Sequence, residues 1–151
     1  VRDLAGLTPD AFMNALERQF VIREGPAGPV RRGEVPMYVG GRWRTLVLGD
    51  QPAVTSSAER LDVMRLQDAV LAPLLKIGDV RTDKRIDFVG GARGTAELES
   101  RVRSGAPAVA FSLYPVDVQD LMAITDAGGI LPPKSTWFEP KLRDGLLSHP
   151  V

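Results

Sequence analysis

Residues 132 to 141, Pro132-Pro133-Lys134-Ser135-Thr136-Trp137-Phe138-Glu139-Pro140-Lys141, gather two lysines, two hydroxyls, a carboxylate and two aromatics among three prolines. Proline removes a backbone donor and fixes φ, which denies the stretch a helix interior or a central strand. A fixed surface loop is the expectation, and loops carry a disproportionate share of binding groups. Lys134 would meet a phosphate or carboxylate as a point charge, with Ser135 and Thr136 donating hydrogen bonds beside it. The plainer alternative leaves Lys134 and Glu139 as solvated charges on a loop clamped by Trp137 and Phe138. Together with Gly128-Gly129-Ile130-Leu131 the stretch nearly has P-loop spacing. Pro133 stands where the last glycine belongs, and the segment ahead reads as a helix rather than a strand, so both cues argue against a P-loop.

Other residues offer weaker chemistry. Gly90, Gly91 and Arg93, in Val89-Gly90-Gly91-Ala92-Arg93-Gly94, follow an expected strand and precede an expected helix. That is the setting for an anion at a helix N-terminus, with Arg93 able to hold a carboxylate bidentately; a tight strand-to-helix connection is the alternative. Asp79, Asp83 and Asp87 have Arg81, Lys84 and Arg85 interleaved, which reads as a solvated charged loop rather than a magnesium site. Trp43 between Arg42 and Arg44 could stack a base, or cover the apolar face of a sheet. His149, near the chain end, reads as a frayed terminal residue. The residues specify no His-rich metal cluster, no histidine-based triad and no isolated carboxylate pair.

The scaffold that must position these residues reads as α+β or α/β. Thr8 and Pro9 are expected as N-cap and first residue of a helix over 9 to 19 carrying Phe12, Leu16 and Phe20. Gly25 to Pro29 breaks structure, and Arg31-Arg32 is expected in a solvated loop. Residues 35 to 39 and 43 to 48 flank Gly40-Gly41 as a tight hairpin. A polar loop, 51 to 60, leads to a helix capped by Asp62, striped with Leu66, Val70 and Leu74, disturbed by Pro73 and ending near Gly78. Strands at 86 to 89 and 108 to 113 alternate with helices at 95 to 102 and 117 to 126, the last displaying Val118, Leu121, Met122 and Thr125 and ended by Gly128-Gly129. Residues 142 to 147 could form a hairpin turn or bulged strand. The expectation is a mixed sheet: an N-terminal antiparallel hairpin followed by βα units.

The 151 residues suit one domain, with 19 basic and 19 acidic side chains and no cysteine. Disulfides and thiolate chemistry are excluded, and the balanced charge gives no global pull toward nucleic acid or an anionic membrane. With no signal core and no apolar span of membrane length, a cytoplasmic protein is expected. The chain starts at Val1 rather than Met, as an excised domain would.

Four blocks carry a family resemblance: Met37-Tyr38-Val39-Gly40-Gly41-Arg42-Trp43; Leu61-Asp62-Val63 with Val70 to Ile77; Phe88-Val89-Gly90-Gly91; and Leu131 to Leu142. In this order they resemble the C-terminal region of the domain of unknown function 1015 family, and the last block is the most specific. The resemblance implies a single domain, 1 to 151, taken from a longer parent. The family's typical members carry an upstream Asp-Gly-His-His-Arg motif that has no counterpart in this chain. Some members are described as free-serine kinases, which implies nucleotide with magnesium, and serine, as ligands of a complete parent. No cofactor is expected for the chain alone, and the expected partner is the upstream domain, or a second copy in a homo-oligomer. The resemblance gives weight to Lys134, Ser135, Thr136, Glu139 and Lys141, with Arg143 next, and leaves the catalytic residues unknown. The alternative is a non-catalytic interaction or assembly domain anchored by Trp137 and Phe138.

Overall fold

The computed structural model describes residues 1–49, 58–105 and 108–131. Within them an antiparallel sheet has strand order β1-β3-β2-β4, where β1 is Val21–Glu24, β2 Glu34–Val39, β3 Arg42–Val47 and β4 Val109–Phe111. The helices are α1 (Pro9–Glu17), α2 (Asp62–Leu66, continued by a π turn over Gln67–Leu71), α3 (Gly94–Arg103, after a 3-10 turn) and α4 (Val118–Asp126). No helix among the described residues is long and apolar enough to cross a membrane.

The β2–β3 hairpin organises the sheet. Gly40 and Gly41 take φ of 58° and 80°, the pair of positive values that a two-residue turn matched to strand twist requires. The register runs from Val39 opposite Arg42 to Glu34 opposite Val47. On one face Val35, Met37, Val39, Leu46 and Val109 join Phe12 and Leu16 of α1 and Leu66, Val70 and Leu71 of the α2 segment in one buried cluster. The alternate positions, Glu34, Pro36, Tyr38 and Thr45, are buried too, so β2 is covered on both faces. Pro36 is tolerated in this central strand for a positional reason. Its carbonyl accepts from Ser112 N, so its nitrogen points to the same side, just beyond the last β4 pair, and no β3 ladder bond is lost.

Local chemistry explains most helix ends. Thr8 accepts from Ala11 N at 3.1 Å with Pro9 as first helical residue. Asp117 caps α4 in a reciprocal pair with Asp120. Gly128, at φ 67°, then lets Gly129 N reach Ile124 O and its own N reach Thr125 O, the paired closure that a left-handed residue permits.

Four expectations are corrected. Among the described residues the sheet is antiparallel throughout, with β4 antiparallel beside β2, so no βα unit follows the hairpin, and the expected helix α1 precedes it. Residues 86 to 89 form no strand; Asp87 is tied to Arg2 and Phe88 is exposed. Asp62 does not cap its helix, because Leu61 is the N-cap and the Asp62 carboxylate turns to Gly33 N instead. Pro73 cannot donate, and the ladder ahead of it widens, with Ala72 N on Gln67 O and Leu75 N on Val70 O; Lys76, not Gly78, then takes the left-handed φ of 54°. On α4, only Ile124 of the apolar side chains is buried, whereas Val118 and Met122 face outward.

Candidate functional site

Lys134, Ser135, Thr136, Glu139, Lys141, Arg143 and His149 lie outside the described residues, as do 50 to 57 and the expected turn at 142 to 147. Gly90, Gly91 and Arg93 are described. Gly91–Arg93 form a 3-10 turn, Gly94 takes φ 69°, and α3 starts there without a side-chain cap. The strand expected ahead of them is absent, and Arg93 points along its own helix to Glu97 at 3.9 Å. These residues form the connection into α3 and converge on nothing else described.

The acidic loop is neutralised residue by residue. Asp79 accepts from Arg81 Nε at 3.0 Å and Nη2 at 2.9 Å, and Asp83 accepts from Arg85 Nε at 3.0 Å and Nη2 at 2.7 Å. In each Asp-x-Arg unit the arginine's backbone N–H also donates to the same carboxylate at 2.9 Å. The arginine hydrogen bonds hold both aspartates below the usual carboxylate range. Arg85 also donates to Leu75 O and Lys76 O at 3.0 Å each, which closes the α2 segment. No group of acids or histidines among the described residues could hold a metal ion.

Strand alternation separates the residues around Trp43. Its indole packs against Tyr38, ring centroids 5.3 Å apart, and donates to Glu99 of α3 at 2.7 Å. Arg42 and Arg44 occupy the opposite face of the strand, so the three do not form a base-stacking platform.

One charged centre among the described residues is one the sequence did not disclose. Glu34 sits at the base of an open depression of about 360 Å³ between β1 and the loop before β2. Arg31 Nε donates to Glu34 Oε1 at 2.7 Å, and Arg23 donates to the same oxygen. The Arg31 hydrogen bond, aided by the charge of Arg23, keeps the Glu34 carboxyl below its ordinary range against the opposing effect of burial. Gly25 is required beside it, since a Cβ there would stand 2.1 Å from Thr45 Oγ1. The alternation of Glu34, Pro36 and Tyr38 against Val35, Met37 and Val39 was the available signal that Glu34 leaves the apolar face.

Two further clasps hold the loop. Arg32, expected in solvent, donates to Asp117 at 2.6 Å and to both oxygens of Asp120, and lies 6.0 Å from the Tyr114 ring centroid. Gly33 N donates to both Asp62 oxygens at 2.9 and 3.0 Å, while Arg65 approaches Asp62 at 3.8 Å and donates to Leu48 O and Gly49 O. Burial pushes the Asp62 carboxyl up, more than the Gly33 hydrogen bond and Arg65 pull it down.

No family model matches the chain, and neither a curated protein nor a solved structure matches it.

Proposed function

We propose that the chain is the C-terminal domain of a small-molecule phosphotransferase resembling the free-serine kinases, and that it supplies binding groups while an upstream region supplies the catalytic base. The observation that carries this reading is the closing block Leu131 to Leu142, in order behind three further resembling blocks. Lys134 and Lys141 would stabilise phosphate or substrate carboxylate charge, and Ser135 and Thr136 would orient an oxygen, with Glu139 and Arg143 beside them. A second consideration supports the division of labour. Glu34, Asp79, Asp83 and Asp120 are held ionised by guanidinium groups, and a carboxylate with a lowered pKa is a weak proton acceptor, while Asp62, pushed up by burial, is enclosed and already accepts from Gly33 N.

The test couples detection of phosphoserine to detection of the spent nucleotide, with magnesium, for this chain beside a complete parent. Turnover is expected from the parent alone, and Lys134→Ala in the parent should weaken nucleotide or phosphoserine binding without unfolding it. Comparable turnover by both proteins would overturn the division of labour. Wild-type affinities for nucleotide, serine and phosphoserine in folded Lys134→Ala would remove the phosphate role of that lysine.

One observation favours the alternative, an assembly domain. On and just beyond α4, Val118 (69% exposed), Met122 (59%) and Ile130 (84%) present apolar side chains to solvent. Sedimentation of the chain at rising concentration tests it: self-association abolished by Met122→Glu supports assembly, and a monomer throughout opposes assembly between copies of this chain.

A further inference from the structure

We propose that Arg42 and Arg44 form a binding site for an oxyanion group, a phosphate or a carboxylate, beyond the site carried by the closing block. Ten described arginines, namely 2, 23, 31, 32, 65, 81, 85, 93, 101 and 103, are engaged in ion pairs. Among the described residues no ion pair occupies Arg42 or Arg44, although both line the same polar depression of about 230 Å³. They are two apart on β3, hence on one face of the strand.

The fold explains why two cations lie there. Arg42 and Arg44 stand opposite Val39 and Met37 in register, on the face that carries the apolar cluster. At the hairpin end that face runs out: Gly40 forms the turn without a side chain, and the first turn of α1, with Asp10 and Met13, borders the gap. Arg44 is only partly exposed. Asp10 lines the same depression yet makes no ion pair with either arginine, and no hydrogen bond to another described residue takes up their donors. A guanidinium presents a planar fork that matches a carboxylate or phosphate edge with two parallel hydrogen bonds, and the partly desolvated Arg44 holds an oxyanion better than a fully solvated cation would. Asp10 is then a repulsive neighbour that limits affinity.

The experiment follows arginine Nε–H resonances of the labelled chain while inorganic phosphate, and separately acetate, is raised at constant ionic strength. Saturable shifts at Arg42 and Arg44 with either anion are expected, and the preferred anion identifies the ligand group. Arg44→Gln should weaken binding about tenfold or more, the loss expected for a charge-assisted hydrogen bond. Asp10→Asn should tighten it, while Arg31→Gln should leave it unchanged. Arg42→Gln, at the more exposed position, serves if Arg44→Gln fails to fold. Linear, unsaturable shifts with both anions, or undiminished binding in Arg42→Gln and Arg44→Gln, would overturn the proposal. Lys134→Ala separates the two sites: phosphate binding lost there and retained in Arg44→Gln would sink this inference and leave the closing-block reading standing.

Discussion

Replacing Asp62 by alanine removes the acceptor that anchors the loop before β2 to the start of α2. Its side chain is 3% exposed and that of Arg65 is 11% exposed, so neither freed partner is readily solvated. An orphaned buried Gly33 N–H costs about 1–3 kcal/mol. The loss at Arg65 falls at the low end for a buried pair, since 3.8 Å is a loose approach and its bonds to Leu48 O and Gly49 O survive. Against these stands the relief of a buried negative charge. A net loss of about 2 kcal/mol follows, which for a chain of this size lowers Tm by about 4–8 °C. Asp62→Asn keeps an acceptor for Gly33 N–H and removes the charge, so it should fall between wild type and alanine. The pH dependence has a definite sign. Because burial raises the folded-state pKa, the native state holds the Asp62 proton more tightly than the unfolded chain, and stability falls as pH rises through the window above the unfolded value of about 3.9. The margin of wild type over Asp62→Asn should therefore be larger at or below the unfolded value of about 3.9 than near pH 7. Thermal melts followed by circular dichroism measure both effects. An alanine variant melting within about 1 °C of wild type would refute the clasp, and a margin that grows toward neutral pH would refute burial as the dominant influence on Asp62.

Gly25→Ala should lose more than about 1 kcal/mol, the usual scale of overpacking, because the added methyl collides with Thr45 Oγ1; chemical denaturation measures it, and Thr45→Ala in the same chain should recover part of the loss. Arg32→Ala should cost about 1 kcal/mol or less, since its contacts are partly exposed and screened by salt, while amide exchange rises locally over residues 118 to 124. Unchanged exchange in α4 would mean that Arg32 does not hold the helix. Acid should destabilise the protein as Glu34, Asp79, Asp83 and Asp120 protonate: their folded pKa values are lowered, so the stability they add is complete above the unfolded values near 4 and disappears as pH falls through the folded ones. Urea midpoints between about pH 2 and 5 should fall steadily with acid, and Glu34→Gln should flatten that fall.

Elements with a local cause were legible in the sequence. Thr8-Pro9, Gly40-Gly41 and Asp117 with Gly128-Gly129 each satisfy or release specific backbone groups within a few residues, and the corresponding helix ends and turn are where those residues place them. Long-range pairing was not legible. Val21–Glu24 is four residues of largely exposed strand, joined to β3 by register and too short to show a period. Residues 86 to 89 have strand composition, yet the segment is held by Arg2 on Asp87 and joins no described strand. The same limit applies to the charged groups. Asp-x-Arg pairing in the 79 to 85 loop is local and could be read, whereas Arg32 with Asp117 and Asp120 spans more than eighty residues and depends on where α4 docks.

Two neighbouring glycine pairs with similar sequence appearance thus have unlike consequences. Gly40-Gly41 turns the chain between strands that are already complementary, so its positive φ values are the whole of its role, and the arginine that follows is delivered to the open end of the apolar face. Gly90-Gly91 lacks a preceding strand, and Arg93 is turned back along α3 toward Glu97. An anion approaching Arg93 must compete with that carboxylate at 3.9 Å, while one approaching Arg42 and Arg44 displaces no ion pair among the described residues. The cost of breaking an existing pair is what separates them, since a guanidinium already facing a carboxylate gains only the difference between two partners. Of the arginines beside glycine turns, those after the hairpin are accordingly the ones at which an oxyanion adds a new interaction.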